Sequence, residues 1–113
     1  MVFAVIVAGG IGSRMKNAGI PKQFMELCGK PIIVHTVERF LHSDRIDRIY
    51  IGVHPEWTDY AAELLEKYFG SSDAAVIVPG GADRNGTVFN VIDRIEKDYG
   101  VSEDHIVLTH DAV

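Results

Sequence analysis

Two cations and a cluster of small residues stand close together near the start of the chain. Gly9, Gly10 and Gly12 fill three of four positions, Arg14 follows, and Lys22 comes behind Pro21. Glycines let a backbone approach an anion closely and turn its N–H groups inward. Backbone donors with two fixed positive charges suit a polyphosphate. The glycines alone would equally serve a tight strand-to-helix connection. Arg14 and Lys22, with Pro21 stiffening the approach to the lysine, favour the phosphate.

A second cluster reads Gly80-Gly81-Ala82-Asp83-Arg84-Asn85-Gly86-Thr87, and an acidic residue, Asp111, lies near the C-terminus. Each member has a plain alternative. Asp83 suits a helix cap and Arg84 a solvated charge, while the Thr87 hydroxyl suits either a ligand or its own backbone. Asp111 fits a turn or cap as well as a Mg²⁺ site, since magnesium takes one or two carboxylates plus substrate phosphate oxygens. Two familiar phosphate loops are excluded. The dinucleotide fingerprint started at Gly10 meets Met15 where its third glycine belongs, and the Walker A pattern started at Gly9 meets Arg14 and Met15 at its Gly-Lys. The stretch from Gly81 to Thr87 has the Walker glycines without the lysine.

The elements that must position these groups alternate. Val2–Val7 is a short β-branched run, the signature of a strand buried on both faces. Phe24–Leu27 reads as an extended piece closed by Gly29-Lys30-Pro31, with Pro31 in the first turn of a helix over 31–42. A strand over 47–53 stops at His54-Pro55. The stripe Trp57, Tyr60, Ala61, Leu64, Leu65, Tyr68 predicts a helix over 56–68 closed by Gly70, with Trp57 packing at the core edge rather than stacking on a base. A strand over 74–79, a helix over about 84–97 and a strand over 105–110 complete the chain. Strands alternating with helices imply right-handed crossovers and a parallel sheet with helices on both faces, an α/β three-layer sandwich of Rossmann-like type. Three of its strands then end on one edge, bringing the Gly9 loop, the Gly80 loop and Asp111 together. Ligands bind at that edge in open α/β sheets.

Composition bounds the partners. The 113 residues are 47% apolar and 24% charged, ordinary globular values for at most one domain. Net charge is −5, from 11 basic against 16 acidic residues, with no basic cluster, so nucleic acid is not the expected partner. The apolar start is too short to span a membrane and has no basic leader, which gives an expectation of a soluble, cytoplasmic protein. The single cysteine, Cys28, is expected to be buried or half-buried in a reducing compartment. His35 and His42 lie on a helix and His54 in a turn, with no metal-ligand spacing. His110 points to the side of its strand opposite Asp111, which gives it a structural role.

Taken together, A-G-G-I-G-S-R-M…P-K-Q-F, then G-G-A-D-R-N-G-T, then T-H-D-A-V, resemble the cytidylyltransferase family in order and spacing over essentially all 113 residues. That family includes enzymes acting on 2-C-methyl-D-erythritol 4-phosphate and on ribitol 5-phosphate. I-G-S-R, P-K-Q-F, K-P-I-I-V-H-T, A-D-R-N and Val113 look more like the ribitol-phosphate branch. The resemblance implies a nucleotidyltransferase fold and transfer of CMP from CTP to a polyol phosphate, releasing pyrophosphate. It implies catalytic roles for Arg14 and Lys22 and a magnesium role for Asp111. CTP would be held by Val7, Ala8, Gly9, Gly10, Ile11, Gly12 and Ser13, and by Gly80, Gly81, Ala82, Asp83, Arg84, Asn85, Gly86 and Thr87. Thr87 stands where one branch often has Ser, and Gly86 lacks the side chain some relatives carry.

Family members are about twice as long as these 113 residues. The resemblance thus implies an N-terminal, CTP-binding half of one nucleotidyltransferase domain, inefficient by itself. The polyol-phosphate contacts, an Arg directly after Val113 and a homodimer arm would belong to the other half. A non-catalytic nucleotide-binding module and a dinucleotide-dependent oxidoreductase domain are the competing classes, and the missing third glycine disfavours the latter.

Overall fold

A computed structural model of the chain describes residues 1–8, 22–71 and 74–111. Its centre is a four-stranded sheet of β1 (Val2–Ala8), β4 (Arg48–Val53), β5 (Val76–Pro79) and β6 (Ile106–Asp111), in the order β5-β4-β1-β6. Every neighbouring pair is parallel. The register aligns the strand ends. Ala8 lies opposite Val53, Val53 opposite Pro79, and Val7 opposite Asp111. All four strands therefore deliver their last residues to one edge.

β1 is apolar throughout because both of its faces are covered. Ala4, Ile6 and Ala8 join Ile49, Ile51 and Val53 of β4 beneath α1 (Ile32–Leu41) and α2 (Thr58–Phe69), which contribute Ile33, Val34, Val37, Ala61, Leu64 and Leu65. Phe3, Val5 and Val7 join Tyr50 and Val78 beneath α3 (Arg84–Tyr99), which contributes Val91 and Ile95. The expected three layers are present. α3 makes the crossover from β5, at one edge, to β6 at the other. Its first turn comes down onto β4 at Gly52, where a side chain would run into Thr87. α2 ends as expected at Gly70, whose φ of 76° is left-handed and whose N–H closes onto the Glu66 carbonyl.

Between β1 and α1 the structure departs from the expected extended piece. Lys22–Phe24 forms a turn of 3₁₀ helix, and β2 (Glu26–Leu27) pairs antiparallel with β3 (Lys30–Pro31). The hairpin turns on Cys28 and Gly29, both at positive φ (54° and 85°), the geometry of a two-residue type I′ turn. Cys28 is exposed there rather than buried, because a turn residue between two paired strands has no core beside it. Pro31 precedes α1 as its cap instead of entering its first turn. The hairpin is tied to α1 by an ion pair between Lys30 and Glu38 at 2.6 Å. The lysine's hydrogen bond holds the Glu38 carboxyl below its ordinary pKa. Trp57 lies in a second 3₁₀ turn (Pro55–Trp57) ahead of α2 and stacks on Phe24 at 5.5 Å, the core-edge position its stripe predicted.

Candidate functional site

The site is built outward from the carboxyl edge of the sheet. Lys22 is exposed at the head of its 3₁₀ turn, and its carbonyl accepts from the Met25 N–H at 3.0 Å. The next two residues point inward. Phe24 is 1% exposed, in the core beside Trp57 and Tyr60. Gln23 is 3% exposed and donates from Nε2 to the carbonyl of Ala8, the last residue of β1, at 2.7 Å. Lys22 is thereby placed next to the end of β1. Gly9, Gly10, Ile11, Gly12, Ser13 and Arg14 lie outside the described residues. Val7 and Ala8 are buried strand residues, so any contact they make with a ligand comes from their backbone.

The second loop leaves β5 with the Gly80 N–H bonded to the Val53 carbonyl at 2.6 Å. Gly81 then passes so near Gly86 that a Cβ on it would lie 2.7 Å from the Gly86 carbonyl carbon. Asp83 is the N-cap of α3, accepting from the Gly86 N–H at 2.7 Å. Thr87 is 1% exposed; its hydroxyl donates to the Asp83 carbonyl at 2.9 Å and accepts from the Gly81 N–H at 3.1 Å. Of the two roles open to Thr87, the backbone one is what the geometry shows. Asn90 adds a bond to the Pro79 carbonyl at 3.1 Å. The loop is thus fixed by its own side chains, leaving Ala82, Arg84 and Asn85 exposed at the head of α3. That end of a helix carries positive potential.

Asp111 closes the site. Its register partner Val7 faces α3, so Asp111 does too, and Arg84 Nε donates to its Oδ1 at 2.9 Å. His110 faces the other way and packs edge-on against Phe40 of α1 at 5.6 Å. No group of three or more His, Cys, Asp or Glu side chains poised to hold a metal occurs among the described residues. A single exposed carboxylate is compatible with Mg²⁺, an ion that keeps water and draws on substrate oxygens.

Sequence reasoning did not single out Gln23, Asn90 or the Gly81–Gly86 contact. The usable signal for Gln23 was its place between an exposed cation and a core aromatic.

A four-stranded parallel sheet flanked by helices on both faces defines an α/β nucleotidyltransferase-like domain. The model of the 2-C-methyl-D-erythritol 4-phosphate cytidylyltransferase (IspD) family matches residues 2–113, and the chain belongs to that family. A crystal structure of 4-diphosphocytidyl-2C-methyl-D-erythritol synthase superposes with a TM-score of 0.75 at 24% identity, covering 98% of this chain and 45% of that one. Another, of the synthase from Anaerococcus prevotii DSM 20548, gives 0.68 at 26% identity, covering 99% and 43%. The chain thus spans less than half the length of these structures. No helix among the described residues is long and apolar enough to cross a membrane.

Proposed function

We propose that the protein to which this chain belongs transfers CMP from CTP to a polyol phosphate. The observation that carries the reading is the convergence of Lys22, the Gly80–Thr87 loop and Asp111 on one sheet edge, in a chain of a cytidylyltransferase family. An oxygen of the acceptor's phosphate attacks the α-phosphorus of CTP. The bond from that phosphorus to the bridging oxygen breaks, and pyrophosphate leaves with the electron pair. The substrate's phosphate is the nucleophile, so no protein nucleophile is needed. Positioning and charge stabilisation carry such a reaction.

In this reading the Gly9 loop donates backbone N–H groups to the triphosphate. Arg14 and Lys22 neutralise charge that grows at the α-phosphate and on pyrophosphate. The loop from Gly80 to Thr87 faces cytosine and ribose with Ala82, Arg84 and Asn85, its shape set by Asp83 and Thr87. Mg²⁺ bound at Asp111 would supply further charge neutralisation at the phosphates.

For the acceptor we propose ribitol 5-phosphate, supported by I-G-S-R, P-K-Q-F, A-D-R-N and Val113. A second reading, 2-C-methyl-D-erythritol 4-phosphate, is favoured by the name of the matching family and by both structural neighbours. The intact protein is proposed to work in the cytoplasm as a homodimer, as the resemblance implies. The test offers the intact protein CTP with each acceptor and measures pyrophosphate release. Turnover with ribitol 5-phosphate far above the other supports the first acceptor, and the reverse preference replaces it with the second. Equal use of ATP or GTP, or CTP binding with no CDP product from either acceptor, defeats the cytidylyltransferase reading.

A further inference from the structure

We propose that Gln23 is the positioning residue for Lys22, holding the cation in register with the end of β1. The inference rests on the reading that Lys22 acts on the phosphates of bound CTP.

Among the described residues, the polar side chains of Gln23, Thr36 and Thr87 are buried. Thr36 bonds back to its own helix, to the Ile32 carbonyl at 3.3 Å. Thr87 locks the Gly80 loop. Gln23 reaches across 15 positions of sequence to the Ala8 carbonyl, where the candidate phosphate loop begins. A buried amide on a strand-end carbonyl is a costly group to place unless its bond is made. Here it fixes one particular juxtaposition.

Lys22 is exposed, so packing does not hold its own side chain. Its position follows from the backbone of the turn over residues 22–25. Phe24 sets the depth of that turn by entering the core, and the bond from the Met25 N–H to the Lys22 carbonyl closes it. Phe24 shares its core cluster with Ala4, Ile6 and Ala8, a contact without directional preference. The Gln23 amide adds a directional bond to the last residue of β1, at 2.7 Å from its acceptor. Loss of that tether leaves the lysine present and charged but free to shift relative to the strand end. A displacement of about 1 Å at a reacting centre is enough to cost on the order of 10²-fold in rate.

The test compares wild type, Gln23→Leu, Lys22→Ala and the double variant in the intact protein, by pyrophosphate release from CTP and acceptor. Gln23→Leu is expected to lower kcat by at least about tenfold with little change in the KM for CTP. In the Lys22→Ala background the same change is expected to add less than about twofold, because the residue it positions is gone. Gln23→Glu supplies a second variant of nearly unchanged volume. Its carboxyl can donate to the Ala8 carbonyl only when protonated, so its kcat relative to wild type should climb as pH falls. A full Gln23 effect in the Lys22→Ala background overturns the proposal. So does a lowered unfolding midpoint with kcat intact, which makes the bond a scaffold contact. Wild type that forms no CDP product defeats the functional reading instead. The tether is then judged by hydrogen exchange at the Met25 amide, which should quicken in Gln23→Leu; an unchanged rate overturns it.

Discussion

The Arg84 guanidinium donates to the Asp111 carboxylate at 2.9 Å, joining the helix that follows one edge strand to the end of the opposite edge strand. The two side chains are 51% and 57% exposed, so the pair is screened and contributes about 0–1 kcal/mol to stability. Stability does not account for it. The arrangement instead keeps a carboxylate aimed at the α3 side of the sheet edge, where the proposed nucleotide lies.

Asp111→Asn in the intact protein is therefore expected to leave the unfolding midpoint nearly unchanged. Turnover should fall on the order of 10²-fold, and more Mg²⁺ should be needed for half-maximal rate. Thermal melts beside a magnesium titration of activity check this. A destabilised variant with normal turnover would make the pair a surface contact and end the proposed metal role of Asp111.

Gly81 offers a sharper contrast. Its missing Cβ would lie 2.7 Å from backbone of Gly86, and backbone cannot step aside as a flexible side chain can. Gly81→Ala should cost about 1–3 kcal/mol by overpacking and should displace Thr87, whose hydroxyl the Gly81 N–H engages. Gly29→Ala meets no atom within 4 Å but sits at a φ of +85°, so it should cost about 1–2 kcal/mol through backbone strain alone. The stabilisation of each variant by added CTP separates the two. It should be lost for Gly81→Ala and kept for Gly29→Ala, and equal responses would take the Gly81 turn out of the nucleotide site.

The parts legible in the sequence were those carried by local pattern. β1 announced itself as a buried strand and Trp57 as part of a core stripe, and a helix cap was one of the readings open to Asp83. The parts that were not legible depend on neighbours distant in sequence. Thr87 stayed undecided until Gly81 and Asp83 were seen on either side of its hydroxyl. Gln23 gained a role only from a carbonyl 15 residues away, and Arg84 from a carboxylate 27 residues away. β2 and β3, two residues each, are too short to show a period, so Cys28 was expected to be buried or half-buried where it is exposed. Arg14 and the Gly9 loop lie outside the described residues, and their roles rest on the sequence.

The Tyr50–Asp98 contact predicts how stability follows pH. The Tyr50 hydroxyl donates to Asp98 at 2.7 Å from a side chain that is 1% exposed. Burial first, and then the Asp98 carboxylate, push the Tyr50 pKa above its ordinary value. The same hydrogen bond holds the Asp98 carboxyl below its own. A depressed carboxylate stabilises the fold above its ordinary pKa and loses that contribution as pH falls through the folded value. A raised phenol stabilises below its ordinary pKa, and that contribution fades as pH climbs past about 10. Tyr50→Phe should be less stable than wild type at neutral pH, with the gap narrowing towards strong acid and strong base. Denaturant midpoints across pH test this, and a gap that stays constant would mean the bond does not govern either limb.

Lys22 and Arg14 are predicted to act mainly in the transition state. As pyrophosphate departs, charge moves onto the bridging oxygen and the oxygens around the α-phosphorus. A cation placed for that distribution gains more there than against bound CTP, and only that difference speeds the step. Lys22 is exposed at the head of a turn whose next two residues are anchored to β1 and the core. Loss of one preorganised group of this kind costs on the order of 10²–10³ in rate, or roughly 3–4 kcal/mol. Lys22→Ala in the intact protein should therefore lower kcat by that factor while the KM for CTP rises much less. Arg14→Lys should fail as well, because an ammonium cannot reproduce the two-pronged grip of a guanidinium. Steady-state kinetics with CTP varied at saturating acceptor decide the matter. A raised KM with kcat preserved would make both residues ground-state clamps on the triphosphate and move the catalytic burden elsewhere on the sheet edge.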